Sequence, residues 1–255
     1  MAPLQFDGEL TAYPYSIALA TRFRGIDVRE GMIIHGPAGY AEFSPFWDYG
    51  SEQCVPWLKA AIEAATAAPP PGRRASIPVN ATVPAVVSEV AAGIVRESGG
   101  CQTVKVKVAG PGDCLESEQN RVAAVREALG PGGAIRIDAN GAWDTDTAVA
   151  RLERLDRAAN GLQYAEQPCR TVAELAEVRR RSRVPIAADE SIRCAADPLE
   201  VVRRRAADVV VLKVQPIGGV RACLELAERV DVPVVVSSAL ETSVGLGTGL
   251  ALAAA

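Results

Sequence analysis

Ala134-Ile135-Arg136-Ile137-Asp138, Leu162-Gln163-Tyr164-Ala165-Glu166 and Pro185-Ile186-Ala187-Ala188-Asp189 are three short, largely apolar runs, each closed by a carboxylate. Between them, Thr145 to Ala159 and Val172 to Arg181 carry apolar residues at helical spacing. This alternation is the signature of βα units around a parallel sheet, so the expected fold class is α/β. On either side the pattern continues. Strands are predicted at Ser76 to Ala81, Thr103 to Val108, Asp208 to Val214 and Pro233 to Ser237, and helices at Leu115 to Leu129 and Val220 to Val230. Few polar residues interrupt the valine-rich runs, as expected for strands covered on both faces. Lys107, Asp138, Glu166, Asp189, Lys213 and Ser237 close successive runs about 23 to 31 residues apart, one βα unit each. A sheet closed into a barrel would bring these ends to one rim, where such barrels carry their sites.

The first part of the chain reads differently. From Leu4 to Phe46 short, partly alternating segments such as Tyr13 to Ala20 and Gly31 to His35 predict antiparallel strands. A helix follows, with Ser51 as its expected N-cap and Trp57, Leu58, Ala61, Ile62 and Ala65 as an apolar stripe. Pro69-Pro70-Pro71-Gly72 ends it, giving an expected division into an α+β domain over 1–72 and a barrel domain over 73–255.

Composition narrows the function classes. With 255 residues and 49% hydrophobic content the chain can bury a substantial core. A net charge of −4 gives no basic field for nucleic acid, and Arg203-Arg204-Arg205 is read as a solvated helix face. The six cysteines, with no C-x-x-C spacing, are read as reduced thiols rather than as a zinc or redox motif. Asp7 and Glu9 near the start, without a basic and then apolar stretch, predict neither signal peptide nor membrane span, so a cytoplasmic location is expected. His35 is the one histidine and has no second ring to form a ligand set; Gly218-Gly219 and Gly245-Leu246-Gly247 are read as turn glycines.

The chemistry concentrates at the run ends. Lys105 and Lys107 are two apart on a strand and so share a face, with Val104 and Val106 on the other. A solvated edge would explain such alternation, but inside a barrel the pair faces the interior, where neighbouring ammonium groups are expected to depress each other's pKa and supply a base. Three carboxylates, Asp138, Glu166 and Asp189, gathered on one rim would repel unless a cation neutralised them. Hard oxygen ligands suit Mg²⁺, with Mn²⁺ as a substitute. Lys213 closes the apolar run Val209 to Leu212, so its ammonium requires anionic partners. In barrel order it stands opposite the Lys105 and Lys107 strand. A lysine on each side of a metal-bound carboxylate is the arrangement needed to remove an α-proton.

Taken together, the K-x-K of Lys105 and Lys107, the D-A-N from Asp138 to Asn140, the E-Q-P from Glu166 to Pro168, the D-E-S from Asp189 to Ser191 and Lys213 resemble the enolase superfamily, in its muconate-cycloisomerase-like branch. Lysine bases with Mg²⁺ are that superfamily's known pattern. The resemblance implies an α+β capping domain and a modified TIM barrel of the (β/α)7β type. Thr21 to Gly25, Ala41 to Phe46 and Ser237 to Ser243 further resemble actinobacterial o-succinylbenzoate synthases of menaquinone biosynthesis. It implies dehydration of 2-succinyl-6-hydroxy-2,4-cyclohexadiene-1-carboxylate to o-succinylbenzoate through an enediolate. The expected partner is a small carboxylate substrate, with no nucleic acid and no membrane. Lys107 would be the base and then the acid, and Lys213 would stabilise the enediolate from the opposite face. Asp138, Glu166 and Asp189 would bind metal; Lys105, Asn140, Ser237, Ser238, Arg22 and Arg24 would contact substrate, the two arginines from a cap loop.

After the seventh strand, Gly245 to Ala255 reads as helix rather than as a final barrel strand, so the barrel is expected to lack its last strand and to expose two strand edges. Two other functions are weighed beside the dehydratase. Related N-succinylamino acid racemases and dipeptide epimerases share both lysines, and a shortened chain could serve as a non-catalytic binding or assembly component.

Overall fold

The computed structural model describes residues 4–6 and 9–255. The chain divides into two compact units, Met1–Ile77 with Val211–Ala255, and Pro78–Val210.

In the first unit β1 (Leu4–Phe6), β2 (Leu10–Phe23), β3 (Ile26–Gly36) and β4 (Gly39–Phe43) form an antiparallel sheet in chain order. The runs predicted at 13–20 and 31–35 lie within the long β2–β3 pairing, which extends from Thr11↔His35 to Ala18↔Val28. α1 (Ser51–Thr66) lays Ala61 and Ala65 on Ala12, Ile34 and Ala41, small side chains that permit close approach. Leu58 and Ile62, expected in the inward stripe, are exposed at 44% and 40%; Ala60, two residues from each and so on the opposite side of the helix, is buried in their place. The cap also shifts by one residue. Gly50 is the N-cap, its N–H donating to Gln53 Oε1 at 3.1 Å, so Ser51 is the first helical residue. His35 is exposed, its ring 4.7 Å from that of Tyr40.

Trp57 is 1% exposed and packs edge-on against Phe46 and Tyr49, with ring centroids 6.1 and 5.9 Å away. Deleting a buried indole removes both its transfer free energy and the contacts around the cavity left behind. Trp57→Ala is therefore expected to cost about 3–5 kcal/mol, read as a lower denaturant midpoint.

The second unit is a run of βα repeats: β5 (Ala81–Val83), α2 (Ser88–Arg96), β6 (Thr103–Lys107), α3 (Leu115–Leu129), β7 (Ala134–Asp138), α4 (Thr145–Ala159), β8 (Tyr164–Glu166), α5 (Val172–Arg181), β9 (Ile186–Ala188), the single turns α6 (Glu190–Arg193) and α7 (Glu200–Arg203), and β10 (Val209–Leu212). Its strands are parallel and adjacent in chain order. The first strand begins later than predicted: Ala81 pairs with Val104, and Ser76 to Asn80 precede the ladder, because Pro78 lacks the N–H a strand pair needs. Local chemistry sets the helix boundaries. Thr171 and Glu174 form a reciprocal box at the start of α5, and Asn160, with φ +50°, closes α4 in the left-handed conformation.

β10 leaves this unit after Val210. The first unit resumes with α8 (Val214–Ile217), α9 (Val220–Ala227), β11 (Val234–Val236) and α10 (Ser243–Ala254), the last covering the segment read as helix. The antiparallel α+β cap and the parallel βα units are the expected α/β class, a capping domain with a modified TIM barrel. Among the described residues no helix is long and apolar enough to cross a membrane.

Candidate active site

β6 places Lys105 and Lys107, and its pairing decides how they are used. In register, Lys107 faces Asp138 on β7, and Asp138 faces Glu166 on β8. Parallel strands in register point paired side chains to the same face, so this row shares one surface while Val104, Val106, Ile135 and Ile137 pack beneath the helices. β6 lies between β5 and β7, and Lys105 is 8% exposed, so the solvated-edge reading of the lysine pair fails.

Three carboxylates sit at the ends of consecutive strands and all are buried, at 1% for Asp138 and Glu166 and 0% for Asp189. Burying them demands countercharge. Lys105 Nζ lies 3.2 Å from Asp138 Oδ2 and 3.0 and 3.1 Å from the two oxygens of Glu166. Lys107 Nζ lies 2.6 Å from the same Asp138 oxygen and 2.8 Å from Asn140 Oδ1. Asp189 Oδ1 accepts from Arg193 Nε at 3.1 Å. Asp138 and Glu166 thus share one ammonium and Asp189 has a guanidinium. Among the described residues no three His, Cys, Asp or Glu side chains are drawn together tightly enough to hold an ion as placed.

The expectation that the two lysines depress each other's pKa is corrected for Lys105. Burial does disfavour its ammonium, but the charges of Asp138, Glu166 and Asp189 together outweigh that cost and raise it above the ordinary lysine value. Tyr164, one step down the same face, has its phenol pushed up to about 12 by burial and then by Glu166.

Three residues that sequence reasoning passed over complete this cluster. Gln167, fully buried with φ +40°, accepts from the Asp189 and Ser191 N–H groups at 3.0 and 3.2 Å and donates to Cys169 O and Ser191 Oγ. It fixes the turn that carries Asp189. Arg193 stands one helical turn after Asp189, and Glu190 links Arg193 (2.7 Å) to Asn140 Nδ2 (3.2 Å). The signals for them in the sequence are the middle residue of E-Q-P and the four-residue spacing from Asp189 to Arg193.

The remaining expected residues belong to the other unit. Lys213 is 8% exposed at the N-cap of α8. Desolvation of the half-buried Glu241 pushes its carboxyl above the ordinary range; the Lys213 charge offsets part of that rise. Ser237 follows β11 and donates its N–H to Leu212 O at 2.9 Å, and Ser238 is exposed. The loop they open is pinned by Arg29, whose Nε donates to Leu240 O at 2.8 Å where the backbone turns left-handed at φ +64°. Arg22 and Arg24 lie at the tip of the β2–β3 hairpin rather than in an irregular loop, since β2 runs to Phe23 and β3 restarts at Ile26. Arg22 is exposed, donating to Gly25 O; Arg24 stacks on Phe46, 4.1 Å from the ring centre, and reaches Asp48 at 3.4 Å.

Comparison with known proteins gives matches along the chain. Residues 86–255 match the family model "Enolase C-terminal domain-like" and residues 15–65 match "Enolase N-terminal domain-like". The o-succinylbenzoate synthase of Thermobifida fusca (strain YX) is 61% identical over 96% of this chain and 77% of its own length. Among solved structures, the L-Ala-D/L-Glu epimerase from Bacillus subtilis, in a substrate-liganded complex, has a TM-score of 0.81 at 23% identity, over 96% of this chain and 86% of its own. The o-succinylbenzoate synthase from Thermosynechococcus elongatus BP-1, with Mg in its active site, has a TM-score of 0.75 at 25% identity, over 96% and 88%. At its identity the epimerase speaks for the fold alone.

Proposed function

We infer the activity from family membership: the chain belongs to the enolase superfamily and, within it, to the o-succinylbenzoate synthases. The chain is a carbon–oxygen lyase acting on 2-succinyl-6-hydroxy-2,4-cyclohexadiene-1-carboxylate, which it converts to o-succinylbenzoate and water in menaquinone biosynthesis. The observation that carries this is the 61% identity to a synthase over 96% of the chain, with both lysine motifs and all three carboxylates in place. The reaction breaks the ring C1–H and C6–O bonds and forms the C1–C6 double bond that makes the ring aromatic.

Lys107 is the proposed base. It takes the proton α to the carboxylate, and the resulting ammonium returns a proton to the departing hydroxyl on the same face, so one residue serves as base and then acid. The short contacts of its Nζ to Asp138 and Asn140 support a fixed aim for that group. By the motif match, Lys213 supplies a second positive charge to the developing enediolate, and Lys105 binds the substrate carboxylate. Asn140, Ser237, Ser238, Arg22 and Arg24 are assigned to substrate contact on the same ground, the arginines toward the succinyl carboxylate.

The residues fit a divalent cation. Their donors are the hard oxygens of three buried carboxylates whose charge otherwise has to be met by ammonium and guanidinium groups. A further oxygen, Glu190 Oε2, is buried with no hydrogen-bond partner. Asp138, Glu166 and Asp189 would hold Mg²⁺, with Mn²⁺ as a substitute. When bound, the ion supplies charge that stabilises the enediolate. The reaction is assigned to the cytoplasm, in keeping with cysteines that carry no paired spacing.

A direct assay decides the reading. With Mg²⁺ present, the purified chain is expected to convert the cyclohexadiene to o-succinylbenzoate and to lose that activity on chelation. Exchange of the α-proton of N-succinylamino acids in deuterated water, without any dehydration, would instead make it a racemase.

A further inference from the structure

We propose that Arg121 is a positioning residue for Lys107, fixing the backbone that carries the base; the proposal rests on the role given to Lys107 above. Arg121 lies on α3 with its side chain 3% exposed, far drier than a helix arginine needs to be. Its guanidinium meets three separate points of chain. Nη1 donates to the carbonyl of Lys107 itself at 3.0 Å, Nε donates to Val86 O at 2.6 Å beyond the end of β5, and Nη1 and Nη2 form a fork on Asp113 at 3.0 and 2.6 Å. Asp113 in turn accepts from Gly110 N–H at 2.9 Å, and Arg121 holds its carboxyl below the usual range against the opposing effect of burial.

One turn earlier on α3, Glu118 is fully buried. It accepts from Ala109 N–H at 2.7 Å and pairs with Arg151. Ala109 has φ +57°, a conformation that a residue with a β-carbon keeps only where its surroundings enforce it. The stretch from Lys107 to Asp113 is thus gripped from one helix face by two buried charged side chains three residues apart. Burying such groups stabilises less than apolar packing of the same volume would, so stability alone is a poor reason for them. What they supply is a strand end whose direction cannot drift. A base that must first take a proton and then deliver one to a second atom of the same ring depends on that direction.

The same helix provides its own control. Arg126 also spends its guanidinium on backbone carbonyls, of Ala159, Gly130 and Gly133, but at the helix end remote from Lys107. Steady-state kinetics and thermal melts of the full chain with Mg²⁺ should therefore separate the two. Arg121→Gln is expected to lower kcat for dehydration by about 10–100-fold with KM within about twofold. Arg121→Lys should recover part of the loss, since an ammonium can still reach the Lys107 carbonyl but cannot fork onto Asp113. Arg126→Gln should lower the melting temperature and leave kcat near wild type. If Arg121→Gln does not fold, Arg121→Lys carries the test with the same expected split. Wild-type kcat in a folded Arg121 variant, or an equal loss of kcat in Arg126→Gln, overturns the positioning role. An active Lys107→Ala removes the base assignment instead, so the two failures are told apart.

Discussion

Lys107→Ala is expected to lose dehydration activity by at least about 10³–10⁴-fold while the protein stays folded, because one side chain performs both proton transfers. The loss should fall on kcat, since the substrate carboxylate is assigned to Lys105 and the cation rather than to Lys107. Asp138 keeps Lys105 as a neighbour at 3.2 Å after the truncation, and Asn140 keeps its N–H bond to Asp138 Oδ1 at 3.0 Å, so the carboxylate is not left bare. Single-turnover measurement of o-succinylbenzoate, together with a melting curve, checks both halves. Turnover within about tenfold of wild type would transfer the base to another residue.

Removing the cation should have the second large effect. Chelation is expected to abolish turnover, with recovery on adding Mg²⁺ or Mn²⁺. Asp138→Asn and Glu166→Gln should each weaken the recovery, because an amide oxygen brings no net charge to the ion. A second readout does not depend on catalysis. Lys105 is the counterion that Asp138 and Glu166 share, so Lys105→Ala in metal-free buffer leaves more buried negative charge than Lys107 can meet and should cost about 3–5 kcal/mol. Added Mg²⁺ binds only the folded state and should restore much of that stability, raising Tm more in Lys105→Ala than in wild type. An equal Mg²⁺ effect on both would mean that the ion does not sit on these carboxylates.

Much of this was open to reading in the residues themselves. Ala134 to Asp138 is a strand with the predicted bounds, its two isoleucines alternating with Arg136 in the period of a strand. Leu115 to Leu129 and Thr145 to Ala159 are helices over the predicted spans. Errors arose where one residue altered the local rule. Pro78 moved the first barrel strand, and Gln53 moved the helix cap from Ser51 to Gly50. The inward face of α1 turned because the small Ala60 allows closer packing beside Trp57, Ala61 and Ala65 than Leu58 or Ile62 does. Glu118 and Arg121 could not be singled out, because their partners include residues distant along the chain, whereas for Gln167 and Arg193 the motif and the four-residue spacing carry a local signal.

The sequence by itself determined which chemical groups close the strands and at what period they recur, because side-chain alternation and the length of a βα unit are local properties. Tertiary structure alone decided their pairing. Register set Lys107 beside Asp138 and Asp138 beside Glu166, and burial compelled each carboxylate to take a cationic neighbour. That compulsion raised the pKa of a lysine expected to have it depressed, making its ammonium a weaker acid, since in a dry interior the nearest opposite charges outweigh the cost of desolvation.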